Sequence, residues 1–441
     1  MITAAVFAGK SYAVYGLARS GLATAQALLA SGAQVLAWDD KEEARSALVS
    51  SALPDAAARP EEDRVRIADP LGVDLAGFDG VIVSPGVPIN RHPIAAKARA
   101  AGVPLMGDIE LFAQARPELP PHKVVGITGT NGKSTTTALV HHILKTAGTP
   151  TTMGGNIGLP ILAQEPLPEG GIYVLELSSY QIDLTQSLDC DVAVLLNITP
   201  DHLDRYESFE AYAQSKARLF AMQTEGTAMV GTDDAPTRAI AASLSRQGRA
   251  PITVSAADAG DQSAWPALQG PHNAQNVAAA RAVADALGLA AEAVEHALRT
   301  YPGLPHRMEL VVERDGVRFI NDSKATNPEA AAPALAAYPA VHWIVGGQAK
   351  TNDLGPCAEY LDHVRGAYTI GEAGPAFAQM LGGRVPAVKE CGRLEDAVRA
   401  AAGAAQAGDV VLLSPACASF DQFKDFEARG EAFRAAVEGL A

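Results

Sequence analysis

Residues 124–137 read VVGITGTNGKSTTT, and this stretch decides the fold of the chain's middle third. Val124, Val125 and Ile127 make a short apolar run, and Gly126, Gly129 and Gly132 punctuate the loop after it. Lys133, Ser134 and Thr135 then open a helical pattern, TTALVHHILKTAG, which stops at Gly148 with Pro150 just beyond. Strand, glycine loop and helix in that order are the context of a phosphate-binding loop. Glycines let the backbone approach a polyphosphate and aim N–H groups at it. The helix N-terminus adds its partial positive charge. In such a loop Lys133 reaches the β- and γ-phosphates and the Ser134 hydroxyl sits on Mg²⁺. Gly126 and Gly132 enclose five residues where the standard pattern has four, so the match is one of context rather than of strict spacing.

Downstream, YVLELSSYQID (173–183) reads as a buried strand ending in Glu176. A carboxylate at a strand tip beside a phosphate loop can hold Mg²⁺, although an isolated Glu there reads more readily as a solvated acid. CDVAVLLNITPDHLDRY (190–206) is a second buried strand, and it delivers Asn197, Thr199, Asp201, His202 and Asp204 together. A polar cluster straight after an apolar strand marks a site more often than a plain loop. SFEAYAQSKARLF (208–220) is an amphipathic helix whose Lys216 and Arg218 look, by pattern alone, like surface cations. In LQGPHNAQNVAAARAVADALG (268–288), Asn273 and Asn276 stand i and i+3 on one helix face. They could read an adenine edge, or Asn273 could be only an N-cap. YPGLPHRMEL (301–310), with His306 and Arg307, reads as an interdomain hinge.

Upstream, SYAVYGLARSGLATAQALLASG (11–32) and AQVLAWDD (33–40) form a βαβ-like opening with acids after the second strand. Its glycines, Gly16 and Gly21, are spaced G-x-x-x-x-G rather than as a dinucleotide fingerprint, so the turn is structural or serves another nucleotide. GFDGVIVSPGVPIN (77–90) is a further buried strand and turn, and the Pro-rich RPELPPHK (116–123) reads as a linker. In the last third, VRFIND, VHWIVGG, GAYTIG and DVVLLSP alternate with helical segments. Polar loops follow three of them, in FINDSKATNPEA (319–330), GGQAKTNDL (346–354) and SPACASFDQFKDFEARG (414–430), which suggests another ligand crevice.

The whole is therefore α/β: a Rossmann-like N-terminal domain (1–115), a central P-loop ATPase domain with a mostly parallel sheet (116–303), and a C-terminal Rossmann-like α/β domain (304–441). A length of 441 residues suits about three domains. A net charge of −15 argues against broad binding to nucleic acid or membrane surfaces. Cys190, Cys357, Cys391 and Cys417 lack metal or redox spacing and suit a reducing, cytoplasmic setting. No signal peptide and no membrane insertion are expected, since no basic region precedes a long apolar core and no apolar run approaches a bilayer's span.

GITGTNGKST, GGNIGLP, ELSSYQ, NITPDHLDRY, HNAQN, GLPHRME, NDSKATN and LLSPACASFDQFKDFEARG occur here in the order found in the Mur ligase family. The chain resembles that family over essentially its whole length, and NDSKATN and SPACASFDQF resemble its D-glutamate-adding branch. The resemblance implies an ATP-dependent amide-bond-forming ligase that adds D-glutamate to UDP-N-acetylmuramoyl-L-alanine through an acyl phosphate, in cytoplasmic peptidoglycan synthesis. Small-molecule substrates follow from it, and a monomer is expected. The resemblance also explains the missing dinucleotide fingerprint, since the first domain's ligand becomes a UDP-sugar.

By the same resemblance, ATP lies on Gly126, Thr128, Gly129, Thr130, Asn131, Gly132, Lys133, Ser134 and Thr135, clamped by Asn273, Asn276, Arg307 and Asp322. Lys133, Glu176, His202 and Lys216 carry catalysis. Two Mg²⁺ ions are implied, one on Ser134 and Glu176 and one on His202 with Lys216 as a carbamate, because a free ammonium would repel the ion. Leu17, Ala18 and Asp39 lie near the uridine diphosphate, and Asn156, Ser178, Gln181 and His202 near the muramoyl-alanine end. Lys324, Thr326, Lys350, Ser419, Phe420 and Phe426 form the D-glutamate pocket. The spacer between Tyr206 and Tyr212 is one residue shorter than in familiar members, but Tyr212 and Lys216 keep their i, i+4 relation. Domain closure with hinges near Pro121 and Gly303 is expected. Rival readings are a ligase adding L-glutamate to the same acceptor, a folylpolyglutamate-synthase-like ligase, and an inactive nucleotide-binding relative. NDSKATN argues against the first and the N-terminal Rossmann-like domain against the second. Retention of Lys133, Glu176, His202 and Lys216 together argues against the third.

Overall fold

The computed structural model describes residues 1–52, 64–201, 205–349, 351 and 353–440. It contains three α/β sheets. The first holds β1 (Ser11–Tyr15), β2 (Gln34–Trp38), β3 (Val65–Ile67), β4 (Gly80–Val83) and β5 (Leu105–Met106) in the parallel order β3-β2-β1-β4-β5. The second holds β6 (His122–Thr128), β7 (Thr151–Gly155), β8 (Gly171–Glu176), β9 (Val192–Leu195), β10 (Thr227–Gly231) and β11 (Ile252–Val254), parallel throughout in the order β11-β10-β9-β6-β8-β7. The third runs β12 (Glu309–Arg314), β13 (Val317–Asn321), β17 (Val410–Leu413), β14 (Val341–Gly346), β15 (Val364–Ile370), β16 (Val388–Gly392). Helices cover both faces, so inner strands such as β4, β9 and β17 are buried along their whole length. That is why they read as unbroken apolar runs rather than alternating ones.

Met1–Gly260 with Asn273–Leu298 form one compact unit, and Asp261–His272 with the chain from Arg299 form a second. The first two sheets share a core inside the first unit. Phe112, on the helix Asp108–Ala115, packs edge-on against Tyr173 of β8 with ring centroids 5.0 Å apart. The stretch 116–123, expected as a linker, is built into this unit. Arg116–Glu118 is a 3-10 turn and His122 already opens β6. Arg116 Nε donates to His122 Nε2 at 3.0 Å, and its Nη2 lies 3.5 Å from Asp191. Proline here fixes φ in an anchored turn instead of a free tether.

In the second unit the only antiparallel pairing among the described strands is β12 with β13. Asp315 and Gly316, with φ of 53° and 76°, make the turn between them. That left-handed pair is the geometry Asp-Gly hairpins adopt. The sequence reading opened this sheet at VRFIND and passed over β12. No helix among the described residues is long and apolar enough to cross a membrane.

Candidate functional site

β6 ends at Thr128, and the helix Lys133–Thr146 begins after a loop of four residues. Gly129 and Gly132 have φ of 153° and 80°, so the loop depends on glycine at both. At Gly132 a Cβ would stand 2.1 Å from Asn276 Oδ1, so this residue also makes room for a neighbouring helix. Asn276 Oδ1 accepts from Thr136 Oγ1 at 3.2 Å, and its Nδ2 donates to Asn273 Oδ1 at 3.2 Å. The two asparagines do share a face. Asn273 is not an N-cap, because the helix already begins at Pro271. The loop amides of Thr130 and Asn131 donate to the backbone and side-chain oxygens of Asn197, each at 2.8 Å. Asn197, two residues beyond β9, thereby fixes the loop's shape, and Gln275 holds Asn197 in turn at 2.8 Å.

Two lysines converge on the loop. Lys133 Nζ donates to Gly129 O at 2.9 Å and to Thr130 O at 2.7 Å. Lys216 Nζ reaches the same Gly129 carbonyl at 2.9 Å. Far from being a surface cation, Lys216 is 2% exposed. It lies 4.7 Å from the centroid of Tyr212, its i−4 neighbour on the helix Phe209–Ala221. The Tyr212 hydroxyl meets Thr130 Oγ1 at 3.1 Å. Burial, helped by the charge on Lys133, pulls the Lys216 amine down to about 7, against the pull of Asp201, Asp183 and Glu176. Lys216 is thus on the site, which its helical pattern alone did not indicate.

Glu176 ends β8 and pairs in register with Ile127 of β6. Its Oε1 accepts from Asn156 Nδ2 at 2.8 Å. Its Oε2 is buried without a hydrogen-bond partner among the described residues, as is Thr128 Oγ1. An orphaned carboxylate oxygen is costly in a buried site, so this donor set fits a bound cation. Among the described residues no group of three or more His, Cys, Asp or Glu could hold a metal by itself. His202 and Lys350 lie outside the described residues.

On the acceptor side, Ser178 and Gln181 form a capping box that starts the helix Ser179–Asp183. Ser178 Oγ accepts from the Gln181 amide at 3.2 Å, and Gln181 Oε1 accepts from the Ser178 amide at 3.1 Å. The pair expected to line the muramoyl end therefore also shapes the loop after Glu176. In the first sheet, Asp39 accepts from the Leu17 and Lys41 amides at 2.7 Å and 2.9 Å, tying the β1 turn to β2. Ala18 is exposed at the start of the helix Arg19–Ala30.

In the second unit, Asp322 accepts from Ser414 Oγ at 2.8 Å and from the Met308 amide at 3.2 Å. Burial pushes its carboxyl up to about 7, against the Ser414 bond and the charge of Arg307. Arg307 precedes Met308, and its Nε is buried without a hydrogen-bond partner among the described residues. Lys324 Nζ lies 5.6 Å from the Phe426 ring centroid. Ser419 is buried, Thr326 is half-buried, and Phe420 is 68% exposed.

The family models for the Mur ligase middle domain and the Mur ligase glutamate ligase domain match residues 127–268 and 306–417. The chain belongs to the Mur ligase family. Relatives called UDP-N-acetylmuramoylalanine--D-glutamate ligase, from Novosphingobium aromaticivorans and Sphingopyxis alaskensis, are each 61% identical. The matches cover 100% of this chain and 97% and 100% of theirs. Among solved structures, the UDP-N-acetylmuramate-alanine ligase of Thermotoga maritima superposes with a TM-score of 0.59 at 18% identity, covering 97% of this chain and 99% of that one. MurF ligase from the same organism, in complex with ADP, gives 0.58 at 18% identity over 99% and 97%. At these identities the structures speak to the Mur ligase fold alone.

Sequence reasoning left three supports of this Mur ligase site without a role: Asn197, Gln275 and Tyr212. Asn197 was named only as part of a polar cluster, although its place straight after a buried strand was the usable signal.

Proposed function

We propose that the chain is an ATP-dependent ligase joining D-glutamate to UDP-N-acetylmuramoyl-L-alanine, a cytoplasmic step of peptidoglycan synthesis. Full-length relatives at 61% identity that bear the name of that ligation carry this reading. An oxygen of the L-alanyl carboxylate attacks the γ-phosphorus of ATP and ADP leaves, giving an acyl phosphate. The D-glutamate amine attacks the acyl carbon, loses a proton, and phosphate departs with one of the original carboxylate oxygens.

Both steps concentrate negative charge, and the convergence of Lys133 and Lys216 on one carbonyl supports a site made to receive it. Lys133 and the N-terminus of its helix bind and orient the β- and γ-phosphates. Gly126, Thr128, Gly129, Thr130, Asn131, Gly132 and Thr135 shape the nucleotide site, with Asn273, Asn276, Arg307 and Asp322. Ser134 and Glu176 would hold one Mg²⁺ and His202 with a carbamylated Lys216 a second, which would supply positive charge against the phosphate oxygens. The lowered pKa of Lys216 favours this, because only the neutral amine adds to CO₂, releasing one proton. Leu17, Ala18 and Asp39 face the uridine diphosphate, and Asn156, Ser178 and Gln181 the muramoyl-alanine end. Lys324, Thr326, Lys350, Ser419, Phe420 and Phe426 take D-glutamate. The domains divide near residues 115 and 303, and the protein acts as a cytoplasmic monomer.

The test is isotopic. With ¹⁸O in both oxygens of the acceptor carboxylate and with D-glutamate present, released phosphate should carry one ¹⁸O per turnover. Phosphate without the label would overturn the acyl-phosphate step.

A further inference from the structure

Arg429 lies in the last helix, Phe426–Glu438, and is 1% exposed. Among the described residues its hydrogen bonds go to a serine and to main-chain carbonyls. Nε donates to Ser323 Oγ at 2.9 Å, and Nη2 donates to Ser323 O at 2.8 Å and to Cys417 O at 3.0 Å. Nη1 donates to Ala418 O at 3.3 Å. Ser323 Oγ in turn donates to Phe426 O at 2.8 Å, which ties the same knot to the start of the helix.

The acceptors belong to two loops. Ser323 follows β13, and Cys417 and Ala418 follow β17. A third loop joins them, since Gln348 and Ala418 exchange backbone hydrogen bonds of 2.9 Å. The packing there is tight. A Cβ on Gly347 would stand 2.4 Å from Ala418 O and 3.1 Å from Arg429 Nη1. Ala416 holds φ of 56°, a conformation that an alanine keeps only when its surroundings impose it. Lys324 and Thr326 stand just beyond Ser323, and Ser419 and Phe420 just beyond Ala418. The planar guanidinium, with donors in fixed directions, is suited to setting the spacing of two loops.

We propose that Arg429 is a positioning residue for the amino-acid pocket: it holds the loop bearing Lys324 and Thr326 at a fixed spacing from the loop bearing Ser419 and Phe420, and touches no substrate itself. The inference rests on the assignment of those four residues to the D-glutamate pocket. It adds that the pocket's affinity is set from behind, by a residue whose position in a C-terminal helix suggests only a surface cation.

Full-length wild type, Arg429→Ala, Arg429→Lys and Ser323→Ala are compared by steady-state kinetics with each substrate varied in turn. The expected result for Arg429→Ala is a KM for D-glutamate raised about tenfold or more, the scale of one lost charged hydrogen bond. Its KM for the UDP-sugar should stay within about twofold, since that site makes none of these bonds. Added methylguanidinium should restore part of the D-glutamate affinity of Arg429→Ala and do nothing for wild type, which a general loss of packing would not produce. Arg429→Lys and Ser323→Ala should raise the same KM by less, and they carry the test if Arg429→Ala does not fold. An unchanged KM for D-glutamate in Arg429→Lys and Ser323→Ala would overturn the inference. So would equal losses for all substrates with no response to methylguanidinium. Wild type indifferent to D-glutamate would instead overturn the functional reading, and this inference with it.

Discussion

Replacing Gly132 by alanine separates two roles that one glycine plays. Its φ of 80° lies in the left-handed region, and Gly148, at 79°, shares that conformation just beyond the other end of the same helix. Among the described residues an added Cβ at Gly148 meets nothing within 4 Å, whereas at Gly132 it lands 2.1 Å from Asn276 Oδ1. Gly148→Ala should therefore cost only the left-handed backbone term, about 1–2 kcal/mol. Gly132→Ala should cost that and also displace Asn276 from Thr136, leaving buried polar groups unpaired at about 1–3 kcal/mol more. The assay is urea unfolding of both variants, alone and combined with Asn276→Ala. In the Asn276→Ala background the cost of Gly132→Ala should fall to that of Gly148→Ala. ATP at 100 times its Kd should stabilise wild type and Gly148→Ala by about 2.7 kcal/mol, and Gly132→Ala far less. Equal costs for the two alanines, or a Gly132→Ala cost that ignores Asn276, would refute the packing argument.

Other consequences can be checked in the same protein. Lys216→Ala should abolish phosphate release, and acetate or propionate should restore part of it by supplying the missing carboxylate. No recovery with any short acid would remove the support for a carbamate. Asp108 is buried and its carboxylate oxygens meet no full hydrogen-bond partner among the described residues; burial pushes it up to about 6, against the weak pull of the nearby Ile109 and Asp108 amides. A raised carboxylate pKa contributes stability that is full below pH 4 and lost as pH rises through 6. Asp108→Asn should therefore stabilise by up to about 3 kcal/mol at pH 8 and hardly at all at pH 4, read from urea midpoints. Glu110 accepts from the Gln186 and Ser187 amides at 2.6 Å and 2.9 Å, joining the first sheet's last helix to the loop after Asp183. Glu110→Ala should cost about 3 kcal/mol in urea unfolding.

The strands and the phosphate loop were legible because parallel strands buried on both faces leave unbroken apolar runs, and Gly-Lys-Ser-Thr has few other uses. Lys216 was legible only through resemblance. Its burial comes from the loop carbonyl and the tyrosine ring above it, contacts that helical periodicity cannot convey. Ser178 and Gln181 carried a capping signal, S-x-x-Q, that the reading passed over in favour of substrate contacts. Asp108 and Glu110 look from the sequence like ordinary first-turn acids. Their burial arises where the first two sheets share a core, which no local window contains. Arg429 is hidden for the same reason, since its partners lie about 100 residues earlier in one case and on a neighbouring loop in the other.

The most direct test is phosphate release from ATP and Mg²⁺ with UDP-N-acetylmuramoyl-L-alanine, comparing D-glutamate, L-glutamate and no amino acid. The account predicts release that requires both the UDP-sugar and D-glutamate. Release supported equally well by L-glutamate, or by no amino acid at all, would contradict it.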